Sequence, residues 1–344
     1  MKAVAVNVAA VPRSLTPTDQ ELVTVVIPAR NEESFIGPCL DSVLAQTHTN
    51  LQVIVVDGNS TDRTVDIVRD YIARDPRVEL LSNPNAIVPS ALNIALAATR
   101  SDWLVRIDAH ATIPPKYVER AYQHLKSGRW GGVGGRKDGV GVTSAGRAIA
   151  AAMGSRFGVG NSTYHYGTDL ETVEHIPFGA YPTQLARALN GWDEKLRVNQ
   201  DFEFDYRVRM SGKDLLFDPE LVINWYCRQS LPDFFRQYRR YGKGKAKVAR
   251  LHPDSVRARH LAAPGLVVSW LIALLLLPKR PKWSAVIVSP YLASLAAASA
   301  VTVRKTDGWR AKLLVPGAFL AMHTGWGLGF FGGLWSTIQR QPTD

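Results

Sequence analysis

The chain has 344 residues, 46% of them apolar, with a formal net charge of +11. That length suits one large α/β domain with an attachment or two modest domains, and with only two cysteines, Cys39 and Cys227, a disulfide-framed fold is excluded and a reduced compartment is expected. The cationic excess is local: ten Lys or Arg and two acids lie between Arg228 and His260, and, lacking zinc-finger spacing or an RNA-binding signature, this stretch is expected to meet anionic membrane lipids and no nucleic acid.

Residues 1–20 are weak as a signal peptide and read as a mobile N-terminal tail. Val23 to Ile27 is a β-branched run that predicts a buried strand. A helix follows, with Phe35, Ile36, Cys39, Leu40, Val43 and Leu44 on one face and Pro38 near its start, where a missing N–H costs least. Leu51 to Val56 predicts a second strand, closed by Asp57-Gly58-Asn59-Ser60, and Asp62 caps the next helix. Val78 to Leu81, a helix from Ser90 to Ala98, and Trp103 to Ile107 complete the alternation, which ends at Asp108-Ala109-His110. Repeated βα units with continuously apolar strands predict an α/β fold with a mostly parallel sheet covered on both faces, and ligands at the strand ends. No GxGxxG follows the first strand, which disfavours the usual dinucleotide fold, and no GxxxxGK[ST] occurs, which removes the P-loop reading.

Gly131 to Gly135 predicts a short strand, 137–146 a flexible loop, and 137–169 as a whole a connection able to close over a substrate. A helix is expected over Asp201 to Met210, and an edge strand over Leu215 to Val222. Three apolar stretches end the chain: Ala262 to Leu277, Trp283 to Val303, and Ala311 to Trp335. The last two are long enough to cross about 30 Å of hydrocarbon, and the first reads as a tilted span or an in-plane helix. Both connections between them are basic, so the charge rule sets no orientation.

Three clusters carry chemistry. Asp57 and Asp108 lie at strand ends, where carboxylates bind base, ribose or a divalent cation. In extended chain, Asp108 and His110 point the same way and offer two ligands. Asp201 and Asp205 share a helix face, and Asp201 at the helix start reads as a general base or as a cap. Gln237 and Arg240 are spaced for one helical face, where a guanidinium meets phosphate bidentately, or a lipid headgroup.

Taken in order, these stretches resemble family 2 glycosyltransferases with the GT-A nucleotide-sugar-binding fold, and among them the bacterial exopolysaccharide enzymes of succinoglycan type. The resemblance runs over about residues 20 to 250. It implies that Pro28, Ala29, Arg30 and Glu32 surround the nucleotide, with Glu32 near base or ribose. It further implies that Asp57 reads uracil, that Asn93 matches the family's Asn after the third strand, and that Arg106 meets the diphosphate or braces its loop. Asp108 and His110 stand where the family has Asp-x-Asp and would hold Mn2+ or Mg2+. Gln200-Asp201 replaces the usual Glu-Asp, leaving Asp201 as the base. Gln237-Tyr238-Arg239-Arg240-Tyr241 resembles the Gln-x-x-Arg-Trp motif.

The implied organisation is a tail over 1–20, a catalytic domain over 21–230, a basic amphipathic interface helix over 231–260 and membrane-associated helices over 261–336. The implied enzyme is an inverting, metal-dependent transferase at the cell membrane, facing the cytoplasm. It would take a nucleoside diphosphate sugar, with UDP expected, and a lipid-linked saccharide acceptor. The alternatives are transfer to a polyprenyl phosphate and a non-enzymatic sugar-binding protein.

Overall fold

The structure, a computed structural model, describes residues 20–338. The expected tail lies outside the described residues except for Gln20. Its side chain is buried, donates to Thr47 O and accepts from the Thr49 N–H, so it belongs to the domain that follows. The chain forms two compact units, residues 20–137 with 167–225, and residues 138–166 with 226–338.

In chain order the first unit begins β1 (Val23–Ala29), α1 (Ile36–Leu44), β2 (Leu51–Asp57), α2 (Thr64–Ile72), β3 (Val78–Ser82), α3 (Val88–Ala98), β4 (Trp103–Arg106), β5 (Ala111–Thr112), α4 (Tyr117–Lys126) and β6 (Trp130–Val140). The helices α5 (Ser144–Met153) and α6 (Arg156–Val159) belong to the second unit. The first then resumes with β7 (Glu171–Val173), β8 (Ala180–Pro182), α7 (Thr183–Ala188), α8 (Gln200–Met210) and β9 (Asp214–Tyr226). The second closes with α9 (Leu231–Leu251), α10 (Arg259–Leu276), α11 (Pro281–Thr302) and α12 (Trp309–Ile338).

The sheet order is β3-β2-β1-β4-β8-β6-β9-β5, with β7 paired to β9. β3, β2, β1 and β4 are parallel, as their unbroken apolar runs require when both faces are covered. Inside β1 and β2, Thr24 Oγ1 donates to Gln52 Oε1 at 2.8 Å. Ala29 pairs with Asp57 and Asp57 with Ser82, so these strands end level and bring their following loops to one edge.

Two sequence expectations fail. The strand expected at Leu215 to Val222 is no edge: β9 lies between β6 and β5 and also carries β7. The expected loop at 137–146 is the end of β6 and the start of α5, which Thr143 caps by accepting the Gly146 N–H. Residues 138–166 belong to the helical unit and interrupt the domain expected over 21–230. The short strand expected at Gly131 to Gly135 is part of the longer β6, which is rich in glycine. Glycine is needed there because a Cβ on Gly135 would lie 1.8 Å from Leu221 O and one on Gly134 2.5 Å from Ile176 Cβ.

In the second unit, Ser230 starts α9 by accepting the Asp233 N–H and bonding its carboxylate. α10, α11 and α12 are each long and apolar enough to cross a membrane, including the first stretch, which the sequence left short.

Candidate active site

The loops after β1 and β2 form one wall. Asp57 is buried; its Oδ2 accepts the Ser60 N–H at 3.1 Å, and its Oδ1 has no partner. Beside it the Asn83 N–H donates to Asp57 O at 2.8 Å, and Asn83 Oδ1 is also buried without a partner. A buried acceptor left unmet is costly, so both oxygens are set for N–H donors such as a nucleobase edge carries. Ala29 O accepts the Gly58 N–H at 2.8 Å, which ties Pro28 and Ala29 to this wall. Arg30 is exposed and reaches Ala86 O at 3.3 Å.

Glu32 is not turned to this wall. Its N–H donates to Thr64 Oγ1, and its Oε1 meets His110 Nδ1 at 2.9 Å. This bond orients the imidazole. A carboxylate held to one ring nitrogen while the other is left for a cation is the arrangement usual for a metal-ligating histidine. The register Ala111↔Trp225 between β5 and β9 sets His110 beside Trp225, with ring centroids 5.7 Å apart.

Arg106 is buried at the end of β4, and both its Nε and its Nη2 donate to Asp108 Oδ1, at 3.1 and 2.9 Å. Of the two roles expected for Arg106, bracing the Asp108 loop is the one formed here. Asp108 keeps Oδ2 for another partner. Among the described residues no group of three His, Cys, Asp or Glu gathers to hold a metal. Asp108 and His110 are a carboxylate and an imidazole, a donor set that would suit a divalent cation completed by other oxygens.

Asp201 stands at the start of α8, half-buried, its Oδ1 accepting the Phe202 N–H at 2.8 Å. Burial pushes its carboxyl up, but His175, Arg106, the Phe202 N–H and Lys137 outweigh burial and hold it below the usual carboxylate range. It is therefore ionised at neutral pH. Asp205, one turn on, is wholly buried and accepts from His175 Nδ1 (2.6 Å), the Ile176 N–H (2.8 Å) and Tyr181 Oη (2.7 Å). Burial dominates there and raises its carboxyl.

α8 itself is clamped. Arg207 bonds Glu203 and the carbonyls of Leu189 and Gly191. Asn93 accepts the Trp192 N–H at 2.8 Å and donates to Trp192 O and Glu194 Oε1. The Asn93 amide, expected at the nucleotide, is thus spent on the segment that leads into α8. Gln200, where the family pair has Glu, is buried.

Sequence reasoning missed His175 and Lys137. Lys137 Nζ sits 3.6 Å from the Trp225 ring centroid and 4.9 Å from that of Phe178, a ring that Arg106 also covers at 5.3 Å. Phe178 has φ 51°, a strained value for a bulky residue and one that marks functional sites. No spacing announces these residues, because β6, β8 and β9 bring them together from distant stretches. In the second unit, the shared face expected for Gln237 and Arg240 is split: α9 buries Gln237 and exposes Arg240.

Residues 24–187 match Glycosyl transferase family 2. The chain is 32% identical over 315 residues, 89% of its length and 93% of the relative's, to the succinoglycan biosynthesis protein ExoA of Rhizobium meliloti (strain 1021). It is 25% identical over 238 residues, 66% of its length and 74% of the relative's, to the dolichyl N-acetyl-alpha-D-glucosaminyl phosphate 3-beta-D-2,3-diacetamido-2,3-dideoxy-beta-D-glucuronosyltransferase of Methanococcus voltae. Its fold is similar to that of the mannosyltransferase PcManGT of Pyrobaculum calidifontis, solved with GDP-Man and Mn2+, with TM-score 0.58 and 21% identity over 93% of this chain and 89% of that one. The chain therefore belongs to glycosyl transferase family 2, as a GT-A glycosyltransferase that uses a nucleotide-sugar donor and is related to the bacterial exopolysaccharide enzymes.

Proposed function

We propose that the chain moves a sugar from a UDP-sugar to a hydroxyl of a lipid-linked saccharide, inverting the anomeric centre. The observation that supports this best is Arg106, whose buried guanidinium grips Asp108 and also helps to keep Asp201 ionised. One cation thereby serves two carboxylates with different tasks. Asp57 Oδ1 suits the single N–H of a uracil edge. Asp201 takes the proton of the acceptor hydroxyl as its oxygen bonds to C1 and the C1–O bond to the diphosphate breaks. A single displacement from the opposite face inverts C1 and needs no covalent enzyme intermediate.

Asp108 and His110 would hold a Mn2+ or Mg2+ ion, which would offset the charge of the departing diphosphate; the archaeal mannosyltransferase was solved with Mn2+. Gln237 and Arg240 join the catalytic set on their motif alone. The lipid-linked acceptor is supported by the apolar helices and by the dolichyl N-acetyl-alpha-D-glucosaminyl phosphate in the Methanococcus relative's name. The enzyme would sit at the cell membrane with the catalytic unit in the cytoplasm.

The test uses membranes carrying the full chain, incubated with radiolabelled UDP- or GDP-sugars, Mn2+ and lipid extract. The proposal expects label from a UDP-sugar on an extended lipid-linked oligosaccharide. Exclusive use of GDP-sugars would overturn the donor, and a lipid monophosphate monosaccharide as product would favour polyprenyl phosphate as acceptor.

A further inference from the structure

Hydropathy makes α10, α11 and α12 equal candidates for membrane spans. Packing within the helical unit does not. The span windows of α10 and α11 are each 17% buried, that of α12 44%. What buries α12 is a polar neighbour. Gly325, Gly329 and Gly333 lie one turn apart on α12 and face Phe235, Arg239 and Lys243 of α9 in the same rising order. The two helices therefore run parallel and in backbone contact. A Cβ on Gly329 would lie 2.0 Å from Arg239 O, and one on Gly242 2.0 Å from Trp326 O. Further back along α12, Leu231 packs on Gly317, and Phe157 of α6 meets Phe319 (ring centroids 5.1 Å apart) while its carbonyl accepts from His323 Nε2.

α9 cannot enter hydrocarbon. Arg236, Arg239, Arg240 and Lys243 are exposed along the stretch that accompanies α12. If α12 stood upright in a bilayer, those four cations would lie at hydrocarbon depth, where charged side chains are strongly disfavoured. Lying flat, α12 keeps α9 at the headgroups, where the cations meet anionic lipid. Trp309 and Trp335, each 67% exposed at the two ends of α12, then sit where interfacial tryptophans belong.

α10 and α11 carry no such cationic neighbour; their contacts with α12 are uncharged groups and a histidine, Ala263 against Gly327 and Tyr291 Oη beside His323 Nδ1 at 3.0 Å. Residues 261–278 and 283–303 hold no charged side chain. Leu271, Leu274, Leu275, Val286, Leu292 and Val301 are all at least half exposed. At about 1.5 Å per residue, α10 and α11 reach about 27 and 33 Å, which matches a hydrocarbon core of about 30 Å. Trp270 packs on Tyr291 across the pair, and only residues 277–280 join them.

We propose that α10 and α11 form a two-span membrane hairpin, and that α12 is an in-plane helix lying with α9 in the headgroup layer of an anionic bilayer. With α12 flat, orientation also becomes legible. Lys279, Arg280 and Lys282 sit at the hairpin tip, against six cations at its other end and the start of α12: Arg257, Arg259, Arg304, Lys305, Arg310 and Lys312. The richer side, which carries α9, is cytoplasmic by the charge rule.

The test is labelling of the full chain in sealed inside-out and right-side-out vesicles with a membrane-impermeant maleimide. Both native cysteines are buried and give a low background. Four single-cysteine reporters are compared: Asp254→Cys, Lys282→Cys, Asp307→Cys, and a cysteine appended after Asp344. The first three positions are exposed at element ends. The expected result is at least tenfold preferential labelling of 254, 307 and the appended cysteine from the cytoplasmic side, and of 282 from the other. If the appended cysteine labels with 282, α12 spans. If all four label from one side, nothing spans. Either result overturns the proposal, and basal transfer by each reporter variant shows that it is folded.

Discussion

Asp201 and Asp205 are one helical turn apart in sequence and alike in chemistry, yet replacing each by Asn should fail in opposite ways. Asp201 Oδ1 accepts only a helix N–H, that of Phe202, in addition to the fields of His175, Arg106 and Lys137. An Asn there can keep that bond, so stability should hardly move. It loses the basicity, and general-base assistance is worth a factor of about 10²–10⁴, which is about 2.7–5.5 kcal/mol of barrier. Asp205 is enclosed by three donors, His175 Nδ1, the Ile176 N–H and Tyr181 Oη. An amide has one acceptor oxygen, and its NH2 must face one of those donors. One buried donor left unmet costs about 1–3 kcal/mol, which for a unit of this size lowers Tm by about 2–4 °C per kcal/mol. The assay is single-turnover transfer with saturating donor and Mn2+, paired with thermal unfolding in detergent. Asp201→Asn should fall at least a hundredfold with Tm within about 2 °C of wild type. Asp205→Asn should melt lower and keep much of its activity at 20 °C. Transfer by Asp201→Asn within threefold of wild type refutes its role as base. A dead but fully stable Asp205→Asn would mean that the wrong carboxylate was chosen.

His175→Gln keeps a donor for Asp205 but removes the positive field on Asp201, so the acid limb of the kcat/KM profile should move to higher pH; an unmoved limb removes His175 from the site. Calorimetry of UDP with Mn2+ should show binding nearly abolished by Asp108→Ala and weakened less by His110→Ala, with Glu32→Gln milder still; unchanged binding in His110→Ala would exclude the imidazole as a ligand. Asp218 is wholly buried, and although burial raises its carboxyl, His124, Arg120 and the Glu220 N–H hold it lower than usual. A depressed folded value contributes stability above the unfolded value of about 3.9 and loses it as pH falls through the folded one. Tm of the wild type should therefore drop steeply below about pH 4, and Asp218→Asn should be less stable at neutral pH and flatter in acid; an equally steep fall would contradict this.

The parallel half of the sheet was legible because its strands are buried on both sides and must be apolar throughout. Val23 to Ile27 and Leu51 to Val56 can be read for that reason alone. The other half was legible only in pieces: Gly131 to Gly135 and Leu215 to Val222 mark β6 and β9 but not how far they run or what they pair with, because the glycines of β6 answer to the side chains of Tyr181, Leu215 and Ile176 pressing on it. The site divides in the same way. Asp57, Asp108 and Asp201 stand next to strand or helix ends, and sequence position alone finds them. Glu32 and Asn93 show what a motif leaves open: it fixes where they stand but not that one bonds His110 and the other Trp192 and Glu194. His175 and Lys137 carry no local signal: one answers to Asp205 thirty residues later, the other to Trp225.

The same limit acts more sharply on α12. Its sequence from Leu313 to Trp335 holds no Lys, Arg, Asp or Glu, and a hydropathy window sees a span. What decides is the repeat Gly325-x-x-x-Gly329-x-x-x-Gly333, which hydropathy scores as neutral and packing requires to be bare. Small residues at four-residue spacing let two helices approach to backbone contact, so α12 inherits the environment of α9. On insertion scales a cation at the centre of a bilayer costs about 2.5–3.5 kcal/mol, so the four exposed cations of α9 would cost up to about 10–14 kcal/mol at that depth. That is the size of a domain's whole stability. Releasing α9 from α12 would avoid the cost, but would strip the glycine ladder of the only surface here that its bare backbone fits. Keeping both helices at the headgroups avoids both losses, and it leaves the two helices without a cationic neighbour, α10 and α11, to cross.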